Sequence, residues 1–406
     1  MLDSIFLVSI SGDDRPGLMT DLCAALSVHN AEILDIGQAI IHSELALGLL
    51  VRVSEDVDRA ALETSISKSL RQKTLRLTVS KVTSDRYENW IRESGKERFI
   101  LTLLSKERDS VILREVSQLT HEYNLNIDTI RRLTDRNAVN LDDPKVCIEM
   151  RVRGSIATSE AFQTELFNRS ELLGFDFSFQ KDSVFRRNRR LVVFDMDSTL
   201  INVEVIDELA KSHGVGSEVS EITSLAMNGH IDFQESFRRR LSLLEGLSEE
   251  KAFEVLKGID LNPGAEKLVK TLQYFGYKIG IISGGFQYVG DWLRDRLGID
   301  YVYANSMEIE DGYATGKVLG EIVDADRKAA LLKKIVDEEA ITIEQSIAVG
   351  DGANDLPMLN LAGLGVAYHA KLKVRASSDN AISNFGLDAI LYLIGFSDRD
   401  IDEAMG

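Results

Sequence analysis

A chain of 406 residues, 44% hydrophobic and 28% charged, is too long for one ordinary core and has the make-up of a globular protein of two or three domains. A formal charge of −18 excludes nucleic acid and anionic membrane as partners, because neither polyanion gains by approaching such a surface. Cys23 and Cys147, each alone among apolar residues, exclude a disulfide framework, and no transmembrane or signal segment precedes Ser11-Gly12, so a reducing, cytoplasmic setting is expected.

In chain order, Ile5 to Ile10 reads as an apolar β-prone strand that breaks into Gly12-Asp13-Asp14-Arg15-Pro16-Gly17. Leu18, Leu22, Cys23, Ala25 and Leu26 then recur at helical spacing, and strands are predicted at Ala31 to Ile36 and Leu47 to Val53. A helix near Arg59 to Leu70 and a strand at Thr74 to Val79 complete a βαββαβ unit of ferredoxin-like type. The pattern then returns. Phe99 to Leu104 is a strand, Val111 to Tyr123 a helix, and Asn124-Leu125-Asn126-Ile127-Asp128-Thr129-Ile130 repeats the layout of Asn30-Ala31-Glu32-Ile33-Leu34-Asp35-Ile36. Val146 to Val152, Glu160 to Leu173 and Asp176 to Phe179 finish a second copy.

The glycine-marked turn between the first strand and helix resembles the signature of ACT domains, small regulatory modules that often bind amino acids. The resemblance covers about residues 4–80, with a weaker copy over 97–180. It implies an amino-acid effector whose carboxylate meets backbone N–H groups at the turn, with Asp14, Arg15 and Gly17 as the residues nearest to it. The second copy reads Ser105-Lys106-Glu107-Arg108-Asp109-Ser110-Val111 at that place and lacks the glycine that lets a ligand approach the backbone. The basic run Lys181 to Arg190 reads as a polar linker.

Beyond it, Leu191-Val192-Val193-Phe194 runs straight into Asp195-Met196-Asp197-Ser198-Thr199, a buried strand whose carboxyl end delivers two acids to one spot. Helical patterns fill about 203–268, an insert placed to act as a lid. Tyr277 to Ile282 is a second core strand ending in Ser283-Gly284-Gly285, and Ser346 to Gly350 a third ending in Asp351-Gly352-Ala353-Asn354-Asp355. Met307 to Leu319, turning at Asp311-Gly312, reads as a hairpin; the helix Ala325 to Glu339 carries Lys328, and Gly363 to Ala367 is a last core strand. Strands alternating with helices predict an α/β, doubly wound parallel sheet, and ligands of such sheets sit beyond the strand carboxyl ends. Each of these turns has a mundane explanation by itself. Their order and their common place at strand ends do not.

That order matches the four motifs of the haloacid dehalogenase superfamily, and the resemblance spans 190–395. It implies a phosphoryl-transfer enzyme in which Asp195 is the nucleophile, Asp197 the general acid and base, and Lys328, the Ser283 hydroxyl and the Gly284 N–H hold phosphoryl oxygens. Dehalogenases of this type lack the second aspartate and P-type ATPases carry Thr there, so Asp197 favours a phosphatase or phosphotransferase. Carboxylates crowded about 4 Å apart repel by roughly 4 kcal/mol per pair at an effective dielectric near 20, which calls for a divalent cation. Oxygen-only ligands select Mg²⁺, assigned to Asp195, the Asp197 carbonyl and Asp351, with Asp355 outside them.

Finally, Ile201 to Leu209 and Met227 to Leu244 resemble the cap of phosphoserine phosphatases. By that resemblance Glu204 meets the substrate ammonium and Arg240 its carboxylate, Met227 and Phe233 wall the pocket, and Asn354 touches the phosphate. The resulting expectation is a haloacid dehalogenase-like domain at 188–406 with a helical cap at about 203–268, preceded by two ferredoxin-like (βαββαβ) ACT-type domains at 1–82 and 97–181. It hydrolyses phosphoserine with Mg²⁺, the last step of serine biosynthesis, and works as a homodimer. Phosphoryl transfer to another alcohol such as homoserine, and an amino-acid sensor with a vestigial phosphatase half, stay open as alternatives.

Overall fold

The computed structural model describes residues 4–70, 74–106, 110–135, 145–155, 159–378 and 380–406, and divides into two units, 1–96 and 97–406. The first unit holds β1 (Ser4–Asp13), α1 (Leu18–Ser27), β2 (Glu32–Ile41), β3 (Glu44–Val53), α2 (Arg59–Leu70), β4 (Arg76–Val82) and α3 (Ser84–Ser94). Its four strands lie in the order β2-β3-β1-β4, all antiparallel, with one face covered by α1 and α2 through Leu22, Leu26, Leu62 and Ile66. Alternate residues of β1 are buried, as a sheet with one covered face requires. The expected βαββαβ unit is therefore present.

In the second unit, β5 (Arg98–Ser105), α4 (Ser110–Glu122), β6 (Asn126–Arg132), β7 (Val146–Arg153), α5 (Ser159–Leu173) and β8 (Asp176–Lys181) repeat that arrangement, with strand order β6-β7-β5-β8. The repeat extends to backbone detail. Asn30 and Asn124 both adopt φ near +50°, and the register shifts between Ile33 and Asp35 in β2 and between Ile127 and Thr129 in β6. Equivalent asparagines thus turn the chain into equivalent bulged strands. The glycine-free turn lies partly outside the described residues, at 107–109.

The remaining strands are β9 (Leu191–Phe194), β10 (Lys278–Phe286), β11 (Tyr301–Glu310), β12 (Tyr313–Leu319), β13 (Ser346–Gly350), β14 (Leu364–Tyr368) and β15 (Asn380–Ile382). From β11 through β10, β9, β13 and β14 to β15 the sheet is parallel. Helices cover both faces of it. Val192 and Phe194 pack with α10 (Ala265–Tyr274) and α11 (Gln287–Leu297), whereas Leu191 and Val193 pack with α12 (Ala325–Glu338) and α13 (Leu356–Leu361). Every side chain of β9 is buried, each contributing about 1.5–3 kcal/mol, which explains the unbroken apolar run. Between β9 and α10 stand the cap helices α6 (Val205–His213), α7 (Gly216–Met227), α8 (Phe233–Ser242) and α9 (Glu249–Leu256).

Two expectations change. The sheet is mixed, because β12 adds antiparallel to β11 at one edge and β8 adds antiparallel to β15 at the other, so that eleven strands form one sheet. The run Lys181 to Arg190 is accordingly a packed joint and no linker: Arg186 is 7% exposed and bonded to Glu149 at 2.8 Å, and Arg189 is 4% exposed. Across the joint Asp176 accepts from the Ser383 and Asn384 backbone N–H groups at 2.9 and 3.0 Å, and the Ser178 hydroxyl donates to Asn380 Oδ1 at 2.6 Å. Cys147 is buried and Cys23 half-buried, both as free thiols. Among the described residues no helix is long and apolar enough to cross a membrane.

Candidate active site

Three neighbouring parallel strands end at one place. Asp195 extends the ladder beyond β9 through its N–H to the Val349 carbonyl at 2.8 Å, and its Oδ1 accepts from the Met196 N–H at 2.7 Å. The chain then makes a wide turn over Met196–Leu200, with Ser198 in the left-handed region at φ 57°. Asn262, just after the last cap helix α9, holds this turn by donating to the Ser198, Thr199 and Ile201 carbonyls at 3.2, 2.8 and 3.1 Å.

The turn brings the acids together. One carboxylate oxygen from each of Asp195, Asp351 and Asp355 lies within 4.8 Å of the others. Lys328, fully buried on the first turn of α12, places its Nζ 2.9 Å from Asp195 Oδ2 and 2.6 Å from Asp355 Oδ1. Burial alone lowers an ammonium's pKa, but Asp195 and Asp355 outweigh it and hold Lys328 charged. A second tie to Asp355 is the Gly352 N–H at 2.9 Å, while Asp351 accepts from the Thr199 hydroxyl at 3.0 Å. Glycine is required at position 350, where a Cβ would come within 2.5 Å of the Asp355 carboxyl.

One lysine does not neutralise this site. Burial, then repulsion from Asp195, Asp355 and Glu204, pushes the Asp351 carboxyl up to about 8 against the Thr199 hydrogen bond. Asp355 is raised to about 6 by burial and Asp195, with Lys328 opposing. Asp197 is raised well above the carboxylate range by burial, Glu204 and Asp195, and its Oδ1 is buried without a hydrogen-bond partner. An oxygen-only donor set with surplus negative charge fits a hard divalent cation.

Other predicted residues converge here. Ser283 is buried at the end of β10 and its Oγ accepts from the Gly285 N–H at 2.9 Å; a Cβ on Gly285 would lie 2.5 Å from Asp197 Oδ2. Gly284 is anchored through its carbonyl to Asn305 Nδ2 at 2.8 Å, and the Phe233 ring tip rests where a Gly284 Cβ would stand, 2.7 Å from it. From the cap, Glu204 accepts from the Ser198 hydroxyl at 2.8 Å. Although water reaches Glu204, the surrounding protein raises its carboxyl, with Asp195 and Asp207 adding to the effect and Ser198 and Arg240 opposing it. Burial lowers the Arg240 guanidinium from its usual value, and Glu204, Asp207 and Asp197 pull it back, so the arginine and the three acids share one electrostatic neighbourhood. Gln234 of the cap donates to Asp324 at the start of α12 at 2.6 Å, tying α8 to the core. Asn354 is half-buried on the turn Ala353–Asp355, folded back over Gly352. The Met227 side chain lies outside the described residues.

Asp14, Arg15 and Gly17 belong to the separate unit 1–96. There Arg15 pairs with Asp21 at 2.5 Å and reaches the Leu70 carbonyl at 3.2 Å, the Asp14 N–H donates to the Ser43 carbonyl at 2.9 Å, and Gly17 begins α1 with φ 85°.

Sequence reasoning missed four participants. Thr199 and Ser198 stand in the acidic motif itself, and their hydroxyls reach Asp351 and Glu204. Asn262 was signalled only by its Asn-Pro-Gly turn. Tyr288 had no signal: its hydroxyl is buried without a partner among the described residues, and burial together with the nearby Asp197 raises its pKa.

Comparison with known proteins agrees with this geometry. The model of the haloacid dehalogenase-like hydrolases matches residues 192–360, and the ACT domain model matches residues 4–80. A phosphoserine phosphatase of Streptomyces coelicolor is 36% identical over 98% of this chain and 94% of its own length. Another, from Mycobacterium tuberculosis, is 34% identical over 98% of this chain and 95% of its own. The solved structure of a probable phosphoserine phosphatase from Vibrio cholerae superposes with a TM-score of 0.58 at 33% identity, covering 77% of this chain and 89% of that one. A relationship that runs nearly end to end at this identity is decisive: the chain belongs to the phosphoserine phosphatases of the haloacid dehalogenase superfamily that carry an N-terminal ACT domain.

Proposed function

We propose the following division of labour for the hydrolysis of O-phospho-L-serine to L-serine and phosphate. An Asp195 carboxylate oxygen attacks phosphorus, and the bond from phosphorus to the serine oxygen breaks as Asp197, held protonated by its surroundings, gives its proton to the departing oxygen. Asp197 then takes a proton from water, whose oxygen attacks the aspartyl phosphate at phosphorus, releasing phosphate and restoring the Asp195 carboxylate and the protonated Asp197. Lys328, the Ser283 hydroxyl and the Gly284 N–H balance charge on the phosphoryl oxygens, and Asn354 contacts them from the opposite turn. Glu204 takes the substrate ammonium and Arg240 its carboxylate, while Phe233 closes the pocket over them.

Mg²⁺ is the assigned cofactor; Asp195, Asp351 and the Asp197 carbonyl would hold it, with Asp355 outside them. Bound there it supplies positive charge against the crowded phosphoryl and carboxylate oxygens. The observation that carries this reading is the convergence of Asp195, Asp351 and Asp355 with the buried Lys328 at the ends of β9 and β13.

The domains are assigned as 1–82, 97–181 and 188–406, with the cap at about 203–268 and the second repeat as an ACT-type module; its shared strand order and bulge support this. The first module takes an amino-acid effector near Asp14, Arg15 and Gly17, beside a cavity of about 250 Å³ that Gly12, Thr74 and Arg76 help to line. The enzyme works as a cytoplasmic homodimer; unpaired cysteines suit that compartment, and the exposed Ile33, Ile36, Ile40 and Ile41 on the edge strand β2 suit a second copy.

Rapid-quench mixing with ³²P-labelled phosphoserine tests the nucleophile. The native enzyme traps labelled protein within a turnover, and Asp195→Asn traps none and loses activity by on the order of 10⁴-fold or more. Undiminished turnover in that variant ends the assignment.

A further inference from the structure

The strands that end at the catalytic acids begin at a second polar site. A cavity of about 450 Å³ opens there, at the joint between β8 and the start of β14. This is within the volume range of small-molecule pockets. Arg189, Glu344, Asn360, Phe179, Phe185 and Leu359 are among its lining residues. Arg189 stands two residues before β9 and Asp195 directly follows β9, so the whole strand separates this cavity from the active site.

Arg189 is the anomaly. It is 4% exposed, its Nη2 donates to Gln180 Oε1 at 2.8 Å and its Nη1 reaches the Ser346 carbonyl at 3.4 Å, but among the described residues its Nε has no partner. Among the described residues no carboxylate pairs with it. Its neighbour Arg186 shows the ordinary solution to the same burial, a 2.8 Å pair with the buried Glu149. Burial, reinforced by Arg186, lowers the Arg189 guanidinium to about 10, which leaves it charged at neutral pH. A buried charge without a counter-ion is costly and is normally retained only where one arrives. The cavity is where an anion can reach it.

The other walls narrow the ligand. Glu344 is exposed on the cavity's rim, and Lys181, which also lines it, is already paired with Glu97 at 2.7 Å, so a dianion such as phosphate meets repulsion at Glu344 while an ammonium group meets attraction. Phe185, half-buried, offers apolar surface in the same lining, whereas Phe179 and Leu359 are packed into the cores behind it. We propose that this cavity binds a free α-amino acid with an apolar side chain, its carboxylate on Arg189, its ammonium toward Glu344 and its side chain against Phe185. The site is separate from the phosphoserine pocket and from the first module, and it stands whether or not Asp195 is the nucleophile. One of its walls is α13, which begins next to Asp355, so an occupant touches the helix that directly follows a catalytic-site acid.

Calorimetric titration of the full-length protein with L-leucine and L-phenylalanine tests the proposal, with N-acetyl-L-leucine, L-leucinamide and inorganic phosphate as the other arms. At least one of the two amino acids binds, and removing the ammonium or the carboxylate weakens L-leucine at least tenfold. Arg189→Met weakens it to the same degree. Because Arg189 also holds Gln180, Asn360→Trp serves as a second variant that fills the cavity and leaves the arginine in place, again with at least a tenfold loss. The proposal is overturned if neither amino acid binds at millimolar concentration, if L-leucinamide binds as well as L-leucine, if phosphate is preferred, or if Asn360→Trp binds undiminished.

Discussion

At their carboxyl ends β9 and β13 bring Asp195, Asp197, Asp351 and Asp355 into one cluster, whereas at their amino ends the same strands start among Arg186, Arg189 and the cavity beside them. The acid end shares one buried lysine among several carboxylates and keeps an excess of negative charge. The basic end pairs one arginine with Glu149 and leaves the other on neutral acceptors. Both ends hold charge that folding alone does not balance. A group buried with its partner is lost at great cost, while a group buried without one is nearly free to remove, so the two ends must answer differently to the same kind of substitution.

The largest contrast is between Lys328→Met and Arg189→Met. Removing Lys328 leaves Asp195 and Asp355 buried without their cation, which should destabilise by about 3–5 kcal/mol and lower kcat/KM by on the order of 10³-fold. Removing Arg189 strands no carboxylate and should shift stability by only about 1 kcal/mol in either direction, with kcat/KM within about threefold of native. Urea melts and initial rates on both proteins decide it; equal losses would mean that Arg189 has a counter-charge after all.

A smaller effect separates the two walls of the acid end. Arg240 is assigned to the substrate carboxylate and not to the phosphoryl group, so Arg240→Ala should lower kcat/KM for phosphoserine by about 10–10²-fold, the worth of a charged hydrogen bond. Hydrolysis of p-nitrophenyl phosphate, which has no carboxylate, should change by less than about threefold. Parallel loss on both substrates would move Arg240 from recognition to the chemistry.

The acid end was legible in the sequence and the basic end was not, for physical reasons. A central parallel strand is buried on both faces, so Leu191 to Phe194 must be a continuous apolar run, and an acid that follows it must stand in the crevice. Local spacing therefore carries the information. By contrast, β8 pairs with β15, which is three residues long and distant in sequence, and no local pattern announces such a partner. Arg186 and Arg189 looked like linker residues because the groups that satisfy them, Glu149 and Gln180, come from the second repeat. Asn262 and Thr199 escaped for the same reason, since the partners of Asn262 come from the turn after β9 and the partner of Thr199 from the loop after β13. The repeat itself was visible through Asn30 and Asn124, whose shared positive φ is a backbone need that small polar residues meet.

The smallest expected effect, and the one that tests the charge argument most directly, is the pH dependence of stability with the metal removed. In EDTA the folded Asp351 carboxyl lies at about 8 and that of Asp355 at about 6, both above the unfolded value near 4. Between these limits the folded state holds protons that the unfolded chain has released, so stability is greatest at low pH and falls as pH rises through about 6 and then 8. Arg189, at about 10, keeps its charge over that range, so the basic end adds no slope. Thermal melts in EDTA from pH 5.5 to 8.5 should therefore show a midpoint that drops by a few degrees toward pH 8.5, on the order of the shift one titrating group produces. Mg²⁺ competes with those protons, so its stabilisation should be larger at pH 8.5 than at pH 5.5. Asp351→Asn removes the carboxylate held at about 8 and should flatten the upper half of the EDTA curve. If Asp351→Asn retains the full slope, the excess charge at the carboxyl ends of the strands is being relieved in some other way, and the contrast between the two ends fails at its stronger pole.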